Sequence, residues 1–141
     1  MTRPWILLVL LAGLAGCATT PVPVSNADIV PKSRLETGYA QFKAQTPGFI
    51  KVTFVRDAGF NGAGRSVVLA IDGTNIAQIR TSESVVIYLA PGSHIFAVAP
   101  TPQAGDALVE RSFIIGTEDP RFFRISLGSG GFVVQPSTKL Q

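Results

Sequence analysis

From Gly48 onward the hydrophobic pattern has a period of two, and β-branched residues dominate it. Lys51-Val52-Thr53-Phe54-Val55 and Phe123-Arg124-Ile125-Ser126-Leu127 show the alternation most plainly. Successive side chains of a strand point to opposite faces, so such a run buries one face against a second layer. Candidate strands fall at 50–56, 66–72, 76–80, 85–89, 94–99, 108–116, 122–127 and 132–135. Short runs separated by turn residues are the pattern of an antiparallel sandwich or barrel. The expected fold is mainly β: an antiparallel β-sandwich of seven or eight strands over residues 48–141.

The turns carry their own chemistry. Asp72-Gly73 between two strand candidates is a hairpin signal. Pro91-Gly92 reads as a type II turn, with proline fixing φ and glycine taking φ > 0. Residues 59–64 (GFNGAG) and 128–131 (GSGG) read as loops. Ahead of the strands, Ser33-Arg34-Leu35-Glu36 has the S-x-x-E form of a helix capping box. Leu35, Tyr39 and Phe42 share one helical face, and Pro47-Gly48 ends the run. The pattern predicts one short helix within 33–46. There is no internal repeat and no second domain.

The first sixteen residues are different in kind. Arg3 supplies a positive start, and Trp5 to Leu14 is an apolar run of about ten residues, the length of a signal-peptide core. Spanning a bilayer takes about twenty. Leu14-Ala15-Gly16-Cys17 follows and resembles the lipobox of bacterial lipoproteins. Small residues let an extended backbone enter the signal peptidase, and the Cys17 thiolate is the nucleophile that takes up diacylglycerol. Cys17 is also the only cysteine, and a thioether accounts for an odd cysteine in an exported chain. The expectation is a signal peptide over 1–16 and an acylated, palmitate-type anchor at Cys17. Residues 17–32, rich in Pro, Thr and Ser, read as a flexible tether. In lipoproteins generally, Asp after the cysteine tends to retain the protein in the inner membrane. Ala18 therefore fits an outer-membrane location facing the periplasm.

Removing the signal from 141 residues leaves about 125, enough for one domain with its own core. Charged residues are only 15% of the chain, so it is not a solvated, disordered sequence. The formal charge is +3, and the basic residues are scattered without a run of three. Nucleic-acid binding needs a clustered basic patch, which argues against that class.

Residues 49–99 resemble a family of small bacterial envelope lipoproteins built on one β-sandwich domain, and the related PEGA-type modules. The resemblance is carried by a strand ending in arginine (Val52-Thr53-Phe54-Val55-Arg56) and the glycine-rich loop. It continues with Val68-Leu69-Ala70-Ile71-Asp72-Gly73, Ile76-Ala77-Gln78-Ile79, Val85-Val86-Ile87-Tyr88 and Leu89-Ala90-Pro91-Gly92-Ser93-His94. It implies a fold and an envelope location, and no catalytic residues. Thr81-Ser82-Glu83-Ser84 departs from the family, whose members often carry glycine or an aromatic there.

Residues suited to catalysis are few. His94 is the only histidine; a triad would need it with Ser93 or Ser66 and with Asp72 or Asp106. No G-x-S-x-G elbow is present, so His94 reads as a strand-opening residue bonded locally. One histidine and no free thiol do not make a zinc site. Glu118-Asp119 and Asp106 with Glu110 read as surface acids rather than a calcium site. Nothing sets two of Glu83, Glu110 and Glu118 at a glycosidase spacing. Residues 121–124 (RFFR) read as a strand with phenylalanine inward and arginine outward.

The expected function is therefore non-enzymatic, without cofactor or metal. It is a lipid-anchored envelope module that binds an envelope protein through sandwich loops or an edge strand. Phe60, Asn61, Arg65 and His94 are the candidate loop residues. A glycan-binding module is the competing reading. It would need aromatic platforms, and the mature chain offers only Tyr39 and Tyr88, the single tryptophan being Trp5. A hydrolase is a further alternative, with no recognisable nucleophile–base pair to support it.

Overall fold

A computed structural model of the chain describes residues 19–59, 64–101, 108–117 and 121–138. The expected signal peptide, with Leu14, Ala15 and Gly16, and Cys17, Phe60, Asn61, Asp106 and Glu118-Asp119 lie outside the described residues. Nine strands are present among the described residues: β1 (Asp28–Ile29), β2 (Ile50–Arg56), β3 (Ser66–Ile71), β4 (Thr74–Ile79), β5 (Glu83–Leu89), β6 (Gly92–Thr101), β7 (Val109–Ile115), β8 (Phe122–Gly128) and β9 (Gly131–Pro136). They form two sheets, β1-β5-β2-β8-β9 and β4-β3-β6-β7.

The two sheets face one another across one core. Alternation along each strand supplies it: Val52 and Phe54, Val85 and Ile87, and Phe123 and Ile125 from the first sheet, and Val67, Leu69, Ile71, Phe96 and Val98 from the second are all buried. Four phenylalanines join the layers. Phe54 and Phe123 stack at 5.3 Å, and Phe96 meets them edge-on at 5.0 and 4.8 Å. Phe113 closes the group at 5.1 Å from Phe96 and 5.0 Å from Phe123. Aromatic pairs in these geometries each contribute about 1 kcal/mol beyond their area burial.

The hairpin at Asp72-Gly73 forms as expected. Asp72 at φ 48° and Gly73 at φ 78° are both left-handed, as a two-residue type I′ turn requires. Gly92 also has positive φ, but at 141° it is more extended than the second central residue of a type II turn. The step it belongs to carries the chain from one sheet to the other, so it does not close a hairpin.

Three expectations need correction. Among the described residues the strands number nine rather than seven or eight, and pairing is not wholly antiparallel: β2 runs parallel to β8, and β1 parallel to β5. The short helix within 33–46 is replaced by separate 3₁₀ turns at Lys32–Arg34 and Thr37–Gln41. Neither turn has a side-chain cap, because the partners that a capping box needs are used elsewhere: the Glu36 amide donates to Ile76 O at 2.9 Å, and Glu36 Oε1 accepts from Gln78 Nε2 at 2.8 Å. Gly38 packs directly on β4, where a Cβ would collide with Thr74 Cγ2 and the Asn75 carbonyl.

The third correction concerns the tether. From Thr19 onward the segment lies against the domain. Thr20 and Ala58 exchange backbone hydrogen bonds at 2.7 and 2.9 Å, Val22 and Val30 are buried, and β1 adds to the edge of β5. Leu35 then bridges Ala77 on β4, and Tyr39 donates from its hydroxyl to Val86 O at 3.2 Å. Residues 28–42 thus run from the β5 edge to the β4 edge and close one open side of the layers. Covering an edge in this way removes unpaired backbone groups from solvent.

Candidate functional site

Two ends of the layered domain can be told apart. At the lower end β2 finishes at Arg56, β3 begins at Ser66, β5 begins at Glu83, and β8 turns into β9 at Gly128–Gly131. At the upper end lie Asp72-Gly73, Gly92 and His94.

The lower end holds the ionic groups. Asp57 is buried, and Arg124 Nη1 lies 2.7 Å from its Oδ1. The same nitrogen donates to Val22 O at 2.9 Å, and the Val22 amide donates to Asp57 Oδ1 at 3.3 Å. This triangle pins the N-terminal segment to β2 and β8. Arg56 points into the end of the core, where its Nη1 donates to Arg65 O at 2.6 Å and Ile79 O at 2.8 Å. Its guanidinium sits 4.8 Å from the centre of the Phe132 ring. Burial pushes Arg56 down to about 10, against a smaller opposing pull from Glu83, so it stays charged at neutral pH.

A second ionic site ties the 3₁₀ turn at Lys32–Arg34 to β5. Arg34 grips Glu83 with two nitrogens, Nη1 at 2.7 Å from Oε2, and also donates to Gln78 O at 3.1 Å. Burial works against the Glu83 carboxylate. The Arg34 hydrogen bond, the Arg80 amide at 2.8 Å and the two guanidinium charges outweigh it and hold the carboxyl below its usual range. The bond to Glu83 in turn raises Arg34.

At the upper end His94 Nδ1 lies 2.7 Å from Asp72 Oδ2. A histidine–aspartate pair is the start of a triad, but Nε2 meets the Ala90 carbonyl at 2.8 Å instead of a hydroxyl. Asp72 Oδ1 accepts from the Ile95 amide at 2.8 Å. The arrangement clamps the β3–β4 turn to the start of β6.

Arg65 is exposed at the lower end, whereas His94 is at the other. The length of β3, about 20 Å at about 3.3 Å per residue, separates these two of the four candidate loop residues. In the 121–124 stretch Phe123 points inward, while Phe122 and Arg124 face the other side of the sheet. There the docked N-terminal segment and the sheet enclose a groove of about 510 Å³. Val24, Ile29, Val86 and Phe122 supply its apolar wall, and Lys51 and Arg121 its cations.

The sequence shows Arg56 only as the end of a strand, and neither Asp57 nor the partners of these charges are marked in it. Arg124 and Asp57 are 67 residues apart, and Arg34 and Glu83 are 49 apart. Of the four, only Arg124 carries a local signal, a charge inside a strand that otherwise reads as apolar. No protein-family model, curated protein or solved structure matches the chain.

Proposed function

We propose that the chain is a non-enzymatic bacterial lipoprotein, anchored through acylated Cys17 in the outer membrane and facing the periplasm. Its β-sandwich domain serves as a binding module for another envelope protein. The observation that carries the reading is Leu14-Ala15-Gly16-Cys17 directly after a short apolar run with a positive start. The likeness of residues 49–99 to envelope β-sandwich lipoproteins supports it.

The edge strand β7 is the surface that suits a protein partner. It pairs with β6 on one side only among the described residues. Ile114 is 75% exposed on it, and Ile95, 44% exposed, lies diagonally across on β6. An unpaired seven-residue edge with apolar side chains is a template for strand addition.

Replacing Cys17 with serine tests the anchor: incorporation of labelled fatty acid is expected to stop, and continued labelling would overturn the lipobox reading. In-cell photo-crosslinking from Ser112 tests the edge. The expected result is one discrete adduct with an envelope protein, lost when Ile114 is replaced by aspartate. Adducts arising only from lower-end positions would move the binding surface away from β7.

A further inference from the structure

We infer that the lower end of the domain is a membrane-apposed face whose partner is the anionic phospholipid headgroup layer of the bilayer that holds the anchor. The inference rests on the proposed acylation of Cys17.

Thr20 is fixed to Ala58 by two backbone hydrogen bonds, and Val22 is held by Asp57 and Arg124. Only three residue steps separate Cys17 from Thr20. An extended chain covers at most about 3.6 Å per residue, so the acylated residue lies within about 11 Å of the docking point. Each headgroup layer is itself about 5–8 Å thick, the difference between the bilayer and its hydrocarbon core. A domain docked this close to its anchor cannot stand off the membrane on a long tether. Its lower end must rest at or near the headgroups.

The chemistry of that end fits the neighbour. Arg65 and Arg80 are exposed on the segments flanking β3 and β4. Of the carboxylates there, Asp57 is paired with Arg124, and Glu83 is paired with Arg34 and also feels the charge of Arg80. Asp28 is the exposed acid at this end among the described residues. Cations are drawn to an anionic surface within about a Debye length, about 8 Å at physiological ionic strength.

Depth-dependent fluorescence quenching tests this on the full lipidated protein in phosphatidylglycerol-containing vesicles. The mature chain has no tryptophan, so Gly130→Trp at the lower end and Ser93→Trp at the upper end each give a single reporter. Gly130 is exposed, with open space where a side chain would start. With a nitroxide on the lipid headgroup, the Gly130→Trp protein is expected to be quenched several-fold more than the Ser93→Trp protein. A ten-residue Gly-Ser insertion after Ala18 should abolish most of that difference, and all-phosphatidylcholine vesicles should reduce it. Equal quenching of the two reporters in floated vesicles overturns the membrane face. A ratio unchanged in phosphatidylcholine overturns the role of headgroup charge. Failure of the protein to float with vesicles at all removes the acyl anchor itself, a separate result from a wrong orientation.

Discussion

Arg124 and Asp57 meet at 2.7 Å on the outer side of the five-stranded sheet, and the contact holds a third party: both side chains also bind the backbone of Val22. The pair is largely buried, with side-chain exposures of 14% and 4%. Breaking such a pair from one side strands a buried charge, at a cost of about 3–5 kcal/mol. Asp57→Ala is therefore expected to lower stability by about 3 kcal/mol. The Asp57→Ala/Arg124→Met double variant should recover a large part of it. Urea denaturation of the three proteins reads the difference; a double variant as unstable as Asp57→Ala alone would contradict the account.

Glu83 gives a pH dependence of defined sign. Its folded-state pKa is depressed below the ordinary value of 4.5, so the unfolded chain binds more protons in acid. The stability it contributes is complete well above pH 4.5 and is lost as pH falls through the folded value. Glu83→Gln should flatten the acid limb of the stability profile below about pH 4.5, while lowering stability at pH 7. A profile with an unchanged acid slope would show that Arg34 and Glu83 are not paired in solution.

Gly38 tests the docking of residues 35–42. Gly38→Ala puts a methyl group into the Thr74 side chain and the Asn75 carbonyl, and overpacking of this kind costs about 1–3 kcal/mol. Hydrogen exchange should then accelerate at the Tyr88 amide, which donates to Phe42 O at 2.8 Å, before it does so in the core of β2. Uniform acceleration across both sheets would mean that the segment does not open on its own.

His94→Ala should cost about 1 kcal/mol, the scale of lost hydrogen bonds for a mostly buried side chain whose Asp72 partner is open to solvent. On the clamp reading it leaves any envelope phenotype intact once protein levels are matched. Loss of the phenotype at normal levels would reinstate His94 as a functional group.

The strands were legible because burial on one face writes a period of two into the sequence, and each long strand lies close to where that period places it. The Asp72-Gly73 hairpin was legible because its backbone demands residues that tolerate φ > 0. β1 was not, since two residues carry no period and Asp28–Ile29 is a strand only because β5 offers an edge. The helix expectation failed for a related reason. The S-x-x-E pattern is real, but tertiary partners on β4 took up the Glu36 groups that would have capped a helix. The parallel pairing of β2 with β8 depends on the path of the whole chain, and local pattern does not encode it. The ionic triangle was hidden for the same reason: Val22 and Arg124 are 102 residues apart.

The central claim is that the mature protein begins at an acylated Cys17. Intact-mass measurement of the protein extracted from cell membranes tests it most directly. The account predicts a chain starting at Cys17 and heavier than its amino-acid sequence by a diacylglyceryl group and any further acyl chain. A mass that includes residues 1–16, or a chain cleaved there without added lipid, would contradict it.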